Sequence, residues 1–264
     1  MATLLVIPAR FASTRYPGKP LVKLCGVDGT SRSLIERSWD AARQVKGVER
    51  IVVATDDDRI RGAAEAFGAE VVMTSGQCRN GTERCAEVAQ KLGSYDIIVN
   101  LQGDAPLTPP WFVEDLIDAM QNPEISVATP VLRCDAEALN GFQQDRENGR
   151  VGGTTAVFDR GGRALYFSKE VLPYTGRRFT KDEEIPVFHH VGVYAYRAQA
   201  LQKYPNWPEG RLEKWEGLEQ LRFMENATPV SCVEVDAKGR AFWELNNPTD
   251  VAILEKILSD QGMV

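Results

Sequence analysis

The sequence predicts an α/β fold: a mostly parallel, Rossmann-like central sheet with helices on both faces, carrying a β-rich insertion. Three observations predict it. Short apolar runs alternate with helical patterns through the first half, those runs are continuously apolar rather than alternating, and the pattern switches to hairpin chemistry in the middle. Continuously apolar strands separated by helices belong to parallel sheets covered on both faces.

Strands are expected at Thr3–Ile7, Arg50–Ala54, Glu70–Met73 and Asp96–Leu101, with helices at Ser33–Val45, Asp58–Phe67 and Thr82–Leu92. Asp56-Asp57-Asp58 supplies an N-cap and first-turn acids for the second of these helices. A helix is expected from Pro109 to about Met120, then a strand at Ser126–Leu132. Gly152–Phe158 and Ala164–Ser168 flank Asp159-Arg160-Gly161-Gly162, which reads as a hairpin. Val187–Tyr196 reads as one long strand. Helical patterns return at Leu212–Glu225 and Pro248–Leu258, around a short strand near Ser231–Val235. The expected organisation is one domain over 1–264, with the β-rich insertion at 135–205.

Composition narrows the function classes. The 264 residues are 43% hydrophobic and 26% charged, with a net charge of −6. That balance argues against a nucleic-acid binder and suits local basic loops that hold a small anion. No segment reaches the roughly 18 apolar residues of a membrane span, and the N-terminal apolar run is too short for a signal h-region. Five scattered cysteines and two adjacent histidines, His189 and His190, do not make a zinc cluster. Reduced thiols and a cytoplasmic location are expected.

The loop Pro8-Ala9-Arg10-Phe11-Ala12-Ser13-Thr14-Arg15-Tyr16-Pro17-Gly18-Lys19-Pro20 follows the first strand. Ligands of open α/β sheets bind at the carboxyl ends of strands, so Arg10, Arg15 and Lys19 are placed to hold a polyanion such as a nucleotide triphosphate. The loop is neither a Walker A sequence nor G-x-G-x-x-G. A solvated basic loop is the alternative; proline and glycine beside the cations favour a stiff, shaped anion site.

Val99–Leu107 delivers Asp104 to the same sheet edge. A carboxylate there, opposite a basic loop, suits magnesium, which is held by one or two carboxylates together with phosphates and water. Thr74-Ser75 and Arg79-Asn80-Gly81-Thr82-Glu83-Arg84 again follow a strand and open a helix. Hydroxyls, N–H groups and arginines there can meet a base, ribose or phosphate, although ordinary helix capping uses the same residues.

IPARFASTRYPGKPL, VATDDDRI, VMTS, NGTER, VNLQGDAPL, ALYFSK, HVGVYAYR and WEGLEQLR occur in that order along nearly the whole chain. Together they resemble the 3-deoxy-manno-octulosonate cytidylyltransferase family. The resemblance implies a nucleotidyltransferase fold, a homodimer built through the β-rich part, and a magnesium-dependent reaction. That reaction joins CTP to the anomeric hydroxyl of a sugar acid and releases pyrophosphate.

It also implies roles. Arg10 and Lys19 would bind the triphosphate, with Arg15 assisting and Lys19 stabilising charge at the α-phosphate. Ala9, Thr74, Ser75, Thr82 and Gln102 would lie around cytosine and ribose, and Asp104 would hold magnesium. His190, Tyr194, Glu219 and Gln220 would contact the sugar acid, with His190 and Tyr194 sharing one strand face. Without the resemblance, His190 reads as structural and Glu216, Glu219 and Gln220 as the wet face of a helix.

The chain departs from the family pattern in three places: the strand-end motif, the late metal motif and the acceptor region. Ala105 replaces the glutamate of QGDEP, and Asn246 stands where GVDTPED has its metal-binding aspartate. Glu244, two residues earlier on the same face of an extended segment, is a substitute metal ligand. Lys169 stands where arginine is usual, and a lysine cannot make arginine's bidentate contact with a carboxylate. Gly152-Gly153-Thr154-Thr155 is unlike the family's charged strand. Both latter changes fall in the acceptor half. They leave open another ulosonic acid or a phosphonate as acceptor, while Ala105 and Asn246 leave open a catalytically weak nucleotide binder. A glycosyltransferase with Asp56–Asp58 as its D-x-D motif is the remaining alternative.

Overall fold

The computed structural model describes residues 1–12, 16–151, 153–180, 183–241, 243, 245 and 247–263. The chain forms two compact units, one of 1–114 with 237–264 and one of 115–236.

The first unit opens with β1 (Thr3–Pro8), then a small hairpin of β2 (Lys23–Cys25) and β3 (Ser31–Ser33). There follow α1 (Leu34–Ala42), β4 (Arg50–Thr55), α2 (Asp58–Ala66), β5 (Val71–Met73), α3 (Gly81–Leu92) and β6 (Ile97–Leu101). The main strands lie in the order β5-β4-β1-β6, every neighbouring pair parallel. Leu4, Leu5, Val6 and Ile7 are fully buried, as a strand covered on both faces requires. The β2–β3 hairpin has no counterpart in the sequence reading, because its strands are three polar-leaning residues long.

Caps fix the helix starts. Ser33 and Glu36 form a capping box on α1, Asp57 accepts from the Arg59 N–H on α2, and Asn80 accepts from the Glu83 N–H on α3.

After α4 (Pro110–Ala119) the second unit centres on β7 (Val127–Arg133). Its other elements are α5 (Ala136–Glu147), β8 (Thr155–Phe158), β9 (Ala164–Ser168), β10 (Phe188–His190), β11 (Val193–Arg197), α6 (Ala198–Lys203), α7 (Arg211–Glu216), α8 (Leu221–Glu225) and β12 (Val230–Val235). β7 runs parallel to β12 and antiparallel to β10 and β11, and β10, β8 and β9 continue antiparallel. The chain then returns to the first unit as α9 (Asp250–Asp260), where Leu245, Leu254 and Leu258 pack with Leu24, Leu34 and Leu107.

The expected long strand 187–196 is two strands, broken at Val191-Gly192. Opposite the break lies Pro130, which has no N–H to give the ladder. The Val191 N–H bonds to Pro130 O at 3.1 Å, and the Thr129 hydroxyl donates to Val193 O at 2.8 Å. The expected helix 212–225 is likewise two short helices, separated after Gly217, whose φ of 63° ends α7 in a left-handed turn. α5 lies where only β structure was expected; Asp135 caps it by accepting from the Ala138 N–H.

Candidate functional site

In the first unit the basic loop closes on itself. Gly18 has φ 70°, its N–H bonds to Phe11 O at 2.9 Å, and a side chain there would meet the Phe11 ring at 3.1 Å. Glycine is suited to that position because it alone adopts positive φ without cost and leaves the ring its place. The Arg59 guanidinium covers the same ring, 3.3 Å from its centroid. This turn delivers Lys19, whose Nζ lies 2.5 Å from Asp104 Oδ2, both groups being partly buried. The two expectations from separate loops thus meet in one ion pair.

Ala9 is buried and donates its N–H to Ala54 O at 2.8 Å, while Arg10 is exposed, with its guanidinium 3.4 Å from Arg79 O. Arg15 lies outside the described residues, as do Glu244 and Asn246. Their shared neighbour Leu245 is buried and donates its N–H to Asp104 O at 3.1 Å. Among the described residues no cluster of three or more His, Cys, Asp or Glu side chains could hold a metal ion. The carboxylate of Asp104 is a hard oxygen donor of the kind magnesium takes when phosphates complete its shell.

Two carboxamides from the end of β6, Asn100 and Gln102, lie against the N-terminus of α3. A Cβ at Gly81 would lie 2.7 Å from Gln102 Nε2 and 3.3 Å from Asn100 Nδ2, so glycine leaves room for both amides. Thr82 is buried on the first turn of the same helix. Thr74 is buried too, its hydroxyl accepting from the Arg84 guanidinium, which also pairs with Asp56 Oδ1 at 3.0 Å. Ser75 is exposed; its N–H donates to the Glu87 carboxylate and its hydroxyl accepts from the Gln77 N–H. Asn100 went unnoticed in the sequence, and Arg84, expected to meet a base, ribose or phosphate, holds Thr74 and Asp56. Asn100 sits inside an otherwise apolar strand, a buried polar residue that signals a role beyond packing.

The three aspartates at 56–58 are all engaged: Asp56 with the distant Arg84, Asp57 as the cap of α2, and Asp58 with Arg61 at 3.1 Å. They start a helix rather than form a D-x-D metal motif.

The second unit holds the remaining candidates. His190 is buried, its Nε2 3.0 Å from the Thr129 hydroxyl, and its ring lies 5.6 Å from that of Tyr194. The two rings meet although the strand between them is broken. Burial pushes the His190 pKa down to about 3, so its imidazole is neutral. Tyr194 donates its hydroxyl to Gln220 Oε1 at 3.1 Å, which fixes the Gln220 amide. Gln220 is 1% exposed, and its Nε2 has no hydrogen-bond partner among the described residues. Such a buried donor calls for an acceptor.

Glu219 precedes Gln220 in the turn between α7 and α8, and its carbonyl accepts from the Tyr204 hydroxyl at 3.0 Å. That turn is anchored beneath by the buried pair of Arg222 and Glu213, with Nη2–Oε1 at 2.5 Å. Lys169 is half-buried at the end of β9, and its ammonium forms no ion pair among the described residues.

The glycine departure has a packing cause. A Cβ at Gly153 would lie 2.6 Å from Phe142 Cζ and 3.1 Å from His189 Nε2, and the Phe142 and His189 rings meet edge to face at 5.1 Å. Gly153 therefore makes room for Phe142 of α5.

Comparison with known proteins bears on both sets of residues. Residues 4–234 match a family model described as Cytidylyltransferase. The chain belongs to the cytidylyltransferase family. Within it, the chain is 42% identical over 264 residues to a 3-deoxy-manno-octulosonate cytidylyltransferase of Maricaulis maris, covering 99% of each. It is 35% identical to the mitochondrial enzyme of that name from Arabidopsis thaliana, covering 98% of this chain and 83% of the other. A solved CMP:2-keto-3-deoxy-manno-octonic acid synthetase complexed with CTP superposes with TM-score 0.82 at 33% identity, covering 99% of this chain and 100% of the other. The expected nucleotidyltransferase fold and the expected family are both borne out. The Lys19–Asp104 pair and the Gln220 amide are thus features of a cytidylyltransferase.

Proposed function

We propose that this cytidylyltransferase couples CTP to 3-deoxy-manno-octulosonate, giving the CMP-sugar and pyrophosphate. The observation that carries the reading is the meeting of Lys19 and Asp104 at the carboxyl ends of β1 and β6, in a chain whose relatives bear that name. The anomeric hydroxyl of the acid attacks the α-phosphorus of CTP. A new phosphorus–oxygen bond forms, the bond to the β,γ-diphosphate breaks, and the hydroxyl proton leaves to solvent.

The protein contributes position and charge. Lys19 and Arg10, assisted by Arg15, hold the triphosphate. Lys19 offsets negative charge gathering on the departing pyrophosphate. Ala9, Thr74, Ser75, Thr82 and Gln102 surround cytosine and ribose, and Gln102 with Asn100 offers amide donors and acceptors to a base edge. Asp104, with Glu244 or Asn246, would hold magnesium, which when bound supplies charge neutralisation at the phosphates.

In the second unit Lys169 meets the acid's carboxylate, the Gln220 Nε2–H meets one of its oxygens, and Glu219 accepts from its hydroxyls. His190 backs Tyr194, which holds the Gln220 amide in its donating orientation.

The working form is a cytoplasmic homodimer. Exposed Leu165 on β9, with Leu212 and Trp215 on α7, supplies apolar surface in the second unit for a second copy. Light scattering reports this mass directly. The absence of any disulfide among the described cysteines suits a reducing compartment, and fractionation of cells tests it.

A panel of acids offered with CTP and magnesium, followed by pyrophosphate release, tests the substrate. The proposal expects 3-deoxy-manno-octulosonate to be turned over fastest. Turnover of a phosphonate or another ulosonic acid in its place would reject it.

A further inference from the structure

We infer that Glu216 and Gly217 are positioning residues that hold Lys169 ready for the acceptor's carboxylate. The inference rests on the proposed role of Lys169 and names what seats that side chain.

Glu216 ends α7, and among the described residues the hydrogen bonds of its carboxylate are made with β9 and the residue after it. Oε1 accepts from the Ser168 hydroxyl at 2.7 Å and the Tyr166 hydroxyl at 3.3 Å, and Oε2 accepts from the Lys169 N–H at 2.9 Å. The Ser168 hydroxyl in turn accepts from the Glu170 N–H at 3.0 Å. The backbone is thus clamped on both sides of the Lys169 Cα. Burial first, and the Glu216 charge second, raise the Tyr166 pKa, so the phenol keeps the proton it donates.

Three donors satisfy the Glu216 carboxylate without using the Lys169 ammonium. Charge-assisted hydrogen bonds of this kind are stronger than neutral ones, so the clamp costs the lysine none of its charge. The ammonium itself lies across Gly217: a Cβ there would stand 2.9 Å from Lys169 Nζ. Gly217 has φ 63°, the left-handed turn that ends α7. One glycine therefore both turns the chain toward Glu219 and Gln220 and leaves the space that the ammonium fills. A lysine is a flexible point charge, and this seat gives it a fixed direction.

The test is a double-mutant cycle of Lys169→Met and Glu216→Ala, read as the KM for 3-deoxy-manno-octulosonate and the KM for CTP. Glu216→Ala alone should raise the acceptor KM about tenfold, the equivalent of one well-placed interaction, and leave the CTP KM nearly unchanged. In the Lys169→Met background it should add nothing, because residues that act through one another are not additive. Glu216→Gln, which keeps Oε1 as an acceptor, covers the case in which the alanine variant fails to fold, and should give a smaller rise with the same dependence on Lys169. Gly217→Asn, which tolerates the left-handed turn but brings a Cβ, should also raise the acceptor KM. If Lys169→Met leaves the acceptor KM unchanged, the proposed role of Lys169 fails and the inference with it. If Lys169→Met raises it but the Glu216 effect is fully additive, or moves both KM values alike, the inference alone is wrong.

Discussion

The ammonium of Lys19 lies 2.5 Å from Oδ2 of Asp104, so the cation proposed for the triphosphate is paired with the carboxylate proposed for the metal. Each side chain thereby occupies a charge that its partner ligand would otherwise meet. Triphosphate and cation arriving together can exchange this one pair for two, Lys19 with phosphate and Asp104 with magnesium.

Lys19→Met is therefore expected to act in opposite directions on two observables. Turnover should fall by about a hundredfold or more, the scale of losing one charge that stabilises a transition state. Manganese binding without nucleotide, followed by electron paramagnetic resonance, should tighten, because Asp104 loses its internal cation. Unchanged manganese affinity would show that the pair does not hold the carboxylate back.

The buried pair of Arg222 and Glu213 should matter to stability rather than to CTP. Arg222→Met leaves the Glu213 carboxylate buried without its cation, at a cost of about 3–5 kcal/mol. Urea unfolding should report that loss, and adding Glu213→Leu should recover most of it. A single variant as stable as the wild type would contradict the packing of the α7–α8 turn.

Gly153→Ala should cost about 1–3 kcal/mol, the range for overpacking a filled site. The clash is with Phe142, so Phe142→Leu should relieve it. A thermal melt checks both variants, and the CTP KM should not move in either.

His190 makes stability depend on pH. Its folded pKa is about 3 and its unfolded value near 6.5, so the unfolded chain binds the extra proton between these limits. The contribution is whole above pH 6.5 and is lost as pH falls toward 3. From pH 7 to pH 5 this amounts to about 2 kcal/mol for one such group. His189, partly exposed, is lowered to about 4 by burial and adds in the same direction. Denaturant unfolding at pH 7 and pH 5 should show a smaller difference in His190→Gln than in the wild type. Equal differences would mean that His190 is not the group responsible.

The parallel half was legible because its strands are apolar on both faces and its helices carry their own caps at Ser33, Asp57 and Asn80. The rest depended on partners distant in sequence. Gly192 is a weak local mark of the break at Val191-Gly192, whose cause lies in Pro130 and Thr129 about sixty residues earlier. α5 hid because its apolar face is small, with Leu139 its one fully buried side chain.

The site was legible as a set of residue types at strand ends. Its pairings were not: Lys19 with Asp104, Arg84 with Thr74 and Asp56, and Glu216 with the end of β9 are all long-range. Gly153, an oddity in the sequence, became intelligible only beside Phe142.

The most direct measurement is the mass of the product formed from CTP, magnesium and 3-deoxy-manno-octulosonate. A CMP adduct of the acid appearing one for one with pyrophosphate is the predicted result. Release of cytidine diphosphate, or of pyrophosphate with no adduct, would contradict the account.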